Sequence, residues 1–230
     1  MIRFLAFVAM LGIAACSHTV TNASPNGVPC KPDPKLGYSH CTELRGDLDG
    51  DGRSDRVVVI GSGPNATNHA VAIYRSNGQQ QRLSLGDAFL PSVLGLYDVN
   101  HDGALDAFVI TLQGANTDQI EIIGYSAGRF RRFRGTNGRP FLIAAGGAAY
   151  HATGFVCGGT KSHPRLTSVG TDAYTAKQGW EWSRETYALH DITFRRIGRS
   201  SGFIAGSTTS GPPRRYAPGA DCGLLSKYLD

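Results

Sequence analysis

The sequence predicts an all-β protein, a propeller-like array of about three four-stranded repeats, with a twisted β-sandwich as the alternative. Short runs rich in β-branched residues alternate with turns, and the chain contains 30 glycines. No long stretch shows the 3.6-residue apolar period of a helix. An acidic motif returns after 51 residues, and each copy leads into an apolar run. Repetition of this kind indicates stacked units, each of which buries one face against a neighbour.

Residues 1–15 are predicted to be a lipoprotein signal peptide. Arg3 supplies a positive charge, and the apolar run at 4–13 is too short to span a bilayer. The run leads into Ile-Ala-Ala-Cys at 13–16, which resembles the lipobox of bacterial lipoproteins. The resemblance implies export, cleavage before Cys16 and lipid on its sulfur, hence an anchor in the bacterial cell membrane or outer membrane. An ordinary signal peptide with an incidental cysteine is the alternative.

The rest of the chain divides into a tether and one domain. Residues 16–36 are rich in Ser, Thr, Asn and Pro, a composition typical of a flexible segment. The remainder, 37–230, is long enough to bury a sizeable core as a single all-β domain. Within it we predict repeats at about 38–92, 93–150 and 151–200 and a C-terminal tail at 201–230.

Four cysteines remain when Cys16 is set aside. An even number in an exported protein predicts two disulfides. The sequence alone allows three pairings, and proximity along the chain favours Cys30 with Cys41 and Cys157 with Cys222.

The first acidic motif, 47–55, places carboxylates at alternate positions of a tight loop. Such carboxylates repel one another unless a hard cation such as Ca²⁺ takes their oxygens as ligands. Gly52 suits the sharp bend, because glycine adopts positive φ at little cost. The predicted ligands are the side chains of Asp47, Asp49, Asp51 and Asp55 and the backbone carbonyl of Arg53.

The second motif, 98–106, repeats this arrangement. Asn100 replaces Asp49, so the second loop has one formal charge fewer and is expected to bind Ca²⁺ more weakly. Turns rich in Asp, Asn and Gly that bind no metal are the alternative. The predicted ligands are the side chains of Asp98, Asn100, Asp102 and Asp106 and the backbone carbonyl of Ala104.

The surroundings of both loops argue against an EF-hand, which has Glu at position 12 and a helix after it. Position 12 is Val58 in one copy and Val109 in the other, each inside a strand-like run. A nine-residue acidic loop that leads into a strand resembles the FG-GAP/VCBS repeats of integrin α-subunit-like β-propellers. The resemblance implies a propeller-like fold stabilised by calcium, although those propellers have seven blades and this chain shows three units.

The third repeat is predicted to have a degenerate loop. Aligning 154–157 with 95–98 places Cys157, Gly159, Lys161 and Arg165 at the ligand positions, where no metal is expected. A further loop is predicted at 170–179. The predicted strands of the three repeats are 38–45, 56–60, 69–75 and 81–85; 93–97, 107–112, 119–125 and 129–133; and 165–169, 180–188 and 192–197.

The charge pattern bears on possible partners. The net charge is +5, and arginines concentrate in the second half of the chain, around 129–134 for example. These arginines are either solvated strand faces or a surface for an anionic envelope polymer or lipid headgroups. Export and the lack of a recognition motif argue against nucleic acid.

The sequence contains no recognisable catalytic motif: G-x-S-x-G, H-E-x-x-H and the phosphate-binding loop are all missing. It therefore favours a lipid-anchored, calcium-stabilised binding or interaction module of the bacterial cell envelope over an enzyme. Its partner would be an anionic envelope polymer or an envelope protein. The alternative is an envelope hydrolase acting on glycan or peptide, with the calcium loops as scaffold.

Overall fold

The computed structural model describes residues 28–29, 40–61, 69–148, 150–174, 178–207 and 220–222. Every regular element in these ranges is a β-strand, which confirms the all-β prediction. In the described part of the chain, no helix has the length and apolar character needed to cross a membrane. The predicted signal peptide, Cys16 and most of the tether lie outside these residues, and their assignments stay predictions.

The first sheet contains five strands, which are β1 (Val28–Pro29), β2 (His40–Gly46), β3 (Asp55–Gly61), β4 (His69–Tyr74) and β5 (Gln80–Gly86). They pair antiparallel in chain order. The side chains at 57–60 of β3 are buried on both faces of this sheet. This explains why β3 is a continuous β-branched run rather than an alternating one.

The second sheet contains the other eleven strands: β6 (Ser92–Tyr97), β7 (Asp106–Gln113), β8 (Thr117–Ser126), β9 (Arg129–Arg132), β10 (Arg134–Gly135), β11 (Leu142–Ala148), β12 (His151–Thr160), β13 (His163–Tyr174), β14 (Gly179–His190), β15 (Thr193–Ala205) and β16 (Ala220–Asp221). Its main path runs β6-β7-β8-β11-β12-β13-β14-β15-β10, while β9 pairs with β8 and β16 with β12. Neither sheet closes into a barrel, which is consistent with a propeller-like array or a sandwich.

Strand β8 pairs with β11, and through β11 the second unit is joined to β12 of the third unit in one sheet. Its C-terminal part, 123–126, pairs with β9, and its N-terminal part, 117–121, pairs with β11. The ten-residue length of β8 makes both pairings possible. The described strands therefore form two sheets, although the sequence shows three units.

The core lies on both sides of β7. Ala107 and Val109 of β7 pack with residues of the first sheet. Phe108 and Ile110, which point to the opposite face, pack with residues from β11 to β15. Phe108 stacks on Phe155 of β12 with ring centroids 5.8 Å apart. Alternation along one strand thus serves two separate apolar clusters.

The strands predicted for the first two repeats agree with the structure within two residues at each end. The third repeat differs, and two of its predicted loops are wrong. Residues 157–165, aligned with the acidic loops, continue β12 and β13 through a tight hairpin in which Thr160 pairs with His163. The predicted loop at 170–179 begins inside β13, which extends to Tyr174. The third unit lacks the acidic residues, so its alignment with the two loops was weak. Its residues form cross-strand pairs instead of a loop.

The predicted disulfide between Cys157 and Cys222 is confirmed, with the two Cα atoms 4.7 Å apart. It lies beside the pairing of β16 with β12, and Cys222 belongs to the larger apolar cluster. Cys41 is also disulfide-bonded. Cys30, its predicted partner, lies outside the described residues, so that pairing stays a prediction.

Candidate metal centre

The two acidic loops connect equivalent strands and have the same backbone form. Residues 47–54 link β2 to β3, and 98–105 link β6 to β7. The fourth position is left-handed in both loops, with φ of 75° at Gly50 and 58° at His101. The sixth position is left-handed too, with φ of 80° at Gly52 and 101° at Gly103. Such φ values let a short loop curl inwards, which directs alternate side chains towards its centre.

The first loop is organised around Asp47. Its carboxylate accepts hydrogen bonds from the backbone N–H groups of Gly50 at 2.8 Å, Asp51 at 3.1 Å and Gly52 at 2.8 Å. Asp55, at the start of β3, closes the loop by accepting from the Leu48 N–H at 3.1 Å. The carboxylates of Asp47 and Asp55 therefore stabilise the curled backbone of the loop through hydrogen bonds that need no bound ligand.

Three of the four predicted carboxylates in this loop converge. Single oxygen atoms of Asp47, Asp49 and Asp55 all lie within 4.8 Å of one another. The described ranges contain no other group of three acidic, histidine or cysteine side chains this close. The fourth, Asp51, accepts hydrogen bonds from the Arg53 N–H and the Ser76 hydroxyl. An all-oxygen set of this kind fits Ca²⁺, which accepts several carboxylates in flexible geometry.

Arg75 occupies the edge of the first loop, and the sequence analysis missed it. Its Nε donates to Asp49, whose side chain is fully buried. This hydrogen bond is the main reason that the pKa of Arg75 is raised. The guanidinium also lies over the Tyr125 ring, 5.2 Å from its centroid. Arg75 thus neutralises one of the four acids of the loop.

The second loop has the same hydrogen-bond pattern with fewer charges. Asp98 accepts from the backbone N–H groups of Asp102 at 3.1 Å and Gly103 at 3.0 Å. The Asn100 amide donates to Asp102 at 2.8 Å, so these two side chains pair with each other. Ser126 stands at the position that corresponds to Arg75 and brings no cation.

Asp106, at the start of β7, is buried, with 1 % of its surface exposed. Burial raises its pKa well above the usual 3.8, although a hydrogen bond from the Val99 N–H, 2.9 Å long, opposes the shift. Burial likewise raises the pKa of Asp98 and that of Asp55. Gly124 makes room for Asp106, because a Cβ at Gly124 would lie 2.1 Å from its Oδ1.

The two loops touch each other. The Leu105 N–H donates to the Asp47 carbonyl at 2.8 Å. A Cβ at Gly50 would lie 3.7 Å from that of Ala104, so the loop backbones approach closely. Asp47 is the first predicted ligand of one loop, and the backbone carbonyl of Ala104 is a predicted ligand of the other. The two loops are therefore in direct contact.

Two adjacent β-units that each contain an acidic loop of the same backbone form define a β-repeat protein. Residues 47–109 match the family model of the FG-GAP-like repeat, so this part of the chain is similar to an FG-GAP-like repeat. The match begins at Asp47 and ends after Asp106, and it therefore spans both loops. A repeat of this kind indicates an extracellular binding or interaction module. No curated protein and no solved structure gave a significant match to the chain.

The position of Arg75 changes the expected order of metal affinities. The four carboxylates of the first loop together with Arg75 have a net formal charge of about −3, which equals that of the three carboxylates of the second loop. The carboxylate-charge argument for a weaker second loop therefore no longer holds. We expect Arg75→Gln to strengthen Ca²⁺ binding by the first loop roughly threefold to tenfold, because about 1 kcal/mol of competing ion pair is removed. Calorimetric titration measures this change, with Arg165→Gln as the charge-matched control. Unchanged or weaker binding in Arg75→Gln would contradict the competition.

Proposed function

We propose that the protein is a lipid-anchored, calcium-stabilised binding module of the bacterial cell envelope. The observation that supports it best is the convergence of Asp47, Asp49 and Asp55 at the start of a matched FG-GAP-like repeat. The anchoring part of the proposal rests on the lipobox-like sequence that ends in Cys16.

Ca²⁺ would be held by the acidic side chains of each loop together with one backbone carbonyl, from Arg53 in the first loop and Ala104 in the second. A bound divalent cation neutralises carboxylates that otherwise repel one another. The chain itself contributes the rest: glycines curl the loops, and backbone N–H groups orient the carboxylates. Because Leu48 of the first loop and Leu105 of the second pack with the apolar cluster that the first two units share, metal binding would stiffen the junction of these units.

Calorimetric titration of the full chain with Ca²⁺ tests the metal sites. We expect two sites per chain with dissociation constants of about 10⁻⁴–10⁻³ M, the range of extracellular calcium modules. Asp51→Ala should remove the first site and Asp102→Ala the second. Lys161→Ala is the control, because Lys161 lies in the hairpin between β12 and β13 and should leave both sites intact. No heat of binding in the unaltered chain would refute the calcium sites and leave the loops as structural turns.

Metabolic labelling with a fatty acid tests the anchor. The unaltered protein should incorporate the label, and Cys16→Ser should incorporate none, because the thioether that would attach the lipid requires that sulfur. Cys157→Ser, at a cysteine bound in a disulfide, is the matched control and should still be labelled. Equal labelling of the unaltered protein and Cys16→Ser would rule out lipidation at this residue.

A further inference from the structure

A cavity of about 710 Å³ lies between β5, β9 and the turn that joins β14 to β15. We call it the arginine groove, because its lining includes four arginines and a single acidic residue. The volume falls in the range of sites for small organic ligands, roughly 300–1,000 Å³. The charged residues of its lining are Arg129, Arg131, Arg132, Arg134 and Asp191.

One of the four arginines is already committed to the fold. Arg132 forms an ion pair with Glu121, with Nε 2.6 Å from Oε2 although the two atoms are not aligned for a hydrogen bond. It also donates to the Ser84 carbonyl of β5, so it ties the first sheet to the second. Arg134 donates only to a neutral carbonyl, that of Gly138 at 3.2 Å. Among the described residues, none of Arg129, Arg131 and Arg134 has a carboxylate within ion-pair distance, whereas Arg132 does.

Arg131 also has a buried hydrogen-bond donor that lacks an acceptor. Its Nε is shielded from solvent and has no hydrogen-bond partner among the described residues. A buried donor without an acceptor destabilises the protein, and such groups are uncommon in native structures. An anion that accepts from the edge of the guanidinium would supply the missing acceptor.

Strand β9 holds these arginines on a fixed backbone. The side-chain amide of Gln81 donates to the Phe130 carbonyl at 2.7 Å and accepts from the Phe130 N–H at 2.8 Å. The Phe130 ring is buried and packs against Tyr125, with centroids 5.0 Å apart. The backbone of β9 is therefore held in place before a ligand binds, which lowers the cost of ordering the site.

The groove combines cations with an apolar part. Leu83 and Ile192 belong to its lining, and both pack against the apolar clusters. Three arginines without an acidic partner and one aspartate leave a net formal charge of about +2. A phosphate monoester has a charge of about −1.5 to −2 at neutral pH, which matches this excess better than a single carboxylate. Arginine also binds phosphate through two parallel hydrogen bonds.

We propose that the arginine groove binds the phosphate of an organic phosphate, between Arg129 and Arg131, with the carbon skeleton over Leu83 and Ile192. This inference rests on the proposed function, because it assigns the ligand class of the binding module. A soluble sugar phosphate and the phosphate headgroup of a lipid present the same chemistry, so the experiment contains an arm for each source.

The test uses the full chain with Cys16→Ser, which removes the lipidation residue, and titrates it with three probes. These are a hexose phosphate, the same hexose without phosphate, and phosphatidylcholine vesicles that contain phosphatidic acid. We expect binding of the hexose phosphate or of the vesicles, none of the plain hexose, and weaker binding at higher salt. Arg131→Gln should weaken binding about tenfold or more, because a hydrogen bond to a charged group is lost.

Matched variants separate a site from general attraction to a basic protein. Arg129→Gln with Arg131→Gln should abolish binding, and Arg131→Lys should give intermediate affinity, because it keeps the charge and loses the paired hydrogen bonds. Arg165→Gln makes the same charge change on an exposed part of β13 and should bind within about twofold of the parent. Melting temperatures close to that of the parent show that the variants fold.

Each outcome has one reading. Arginine-dependent binding of the soluble hexose phosphate supports the proposal with a soluble source, and the same dependence on vesicles alone supports a lipid headgroup. The proposal is overturned if no probe binds, if the double arginine variant binds as the parent does, or if Arg165→Gln loses as much affinity as Arg131→Gln. A chain that keeps both calcium sites but binds no phosphate would refute the groove alone and leave the calcium-stabilised module standing.

Discussion

Calcium at about a hundred times its dissociation constant is expected to stabilise the fold by about 2.7 kcal/mol per site, or about 5 kcal/mol for the two loops together. The reason is that Ca²⁺, if it binds as proposed, would bind the curled loops of the folded chain and not the unfolded chain. For a domain of this size, 1 kcal/mol corresponds to a shift of roughly 2–4 °C in melting temperature. Scanning calorimetry should therefore show a rise of roughly 10–20 °C between chelator and about 10 mM Ca²⁺, if the dissociation constants are near 10⁻⁴ M.

Variants that alter one loop at a time show how much of the rise in melting temperature each loop contributes. Asp51→Ala and Asp102→Ala should each lose about half of the shift, while Lys161→Ala should retain all of it. The double variant tests the contact between the Leu105 N–H and the Asp47 carbonyl, because adjoining sites seldom have additive effects. A melting temperature that is the same in calcium and in chelator would show that the loops are turns without metal.

The stability that Ca²⁺ adds to the fold should also depend on pH. Burial raises the pKa of Asp106 above its unfolded value of 3.8, so the metal-free fold favours the neutral carboxyl. The metal-free fold therefore loses stability as the pH rises over the interval from 3.8 to the higher pKa of the folded state. Ca²⁺ requires the ionised carboxylate, and the stability that it adds should grow over the same interval. Melting curves from about pH 4 to pH 7 should show the difference between calcium-bound and metal-free protein widening with pH. A constant difference would contradict this linkage.

Removing the disulfide between Cys157 and Cys222 is expected to cost about 4 kcal/mol in the free energy of unfolding. The two cysteines are 65 residues apart, and in the chain-entropy model closing a loop of this length restricts the unfolded chain by about that amount. The variant Cys157→Ala with Cys222→Ala should show the loss in chemical denaturation. Alanine leaves no polar group at the buried Cys222 position, so the measured loss reflects mainly the missing cross-link.

The single variants provide the control for this effect. Cys157→Ala alone leaves Cys222 as a free thiol, which alkylation under denaturing, non-reducing conditions should detect, whereas the parent should show no free thiol at either position. A loss of less than about 1 kcal/mol in the double variant would mean that the pairing of β16 with β12 and the apolar cluster hold the C-terminal segment without the cross-link.

The amino-acid sequence by itself determined the local features of this protein. The acidic loops, their left-handed glycines and the strands of the first two units depend on residues close together in the chain, so the periodic pattern was enough to find them. The 51-residue interval between Asp47 and Asp98 also identified the repeat before any contact was known. The disulfide between Cys157 and Cys222 was predicted from an even cysteine count and proximity along the chain, and it was correct.

Only the tertiary structure decided how the units meet, because those contacts join residues far apart in the chain and leave no periodic signal. Arg75 reaches Asp49 across 26 positions, and it removes the charge difference that the sequence implied between the loops. The long strand β8 pairs with β9 along one half and with β11 along the other, and the pairing of β11 with β12 then connects the second unit to the third. The arginine groove likewise forms only when β5, β9 and the turn after β14 come together, which turns a run of arginines into a site.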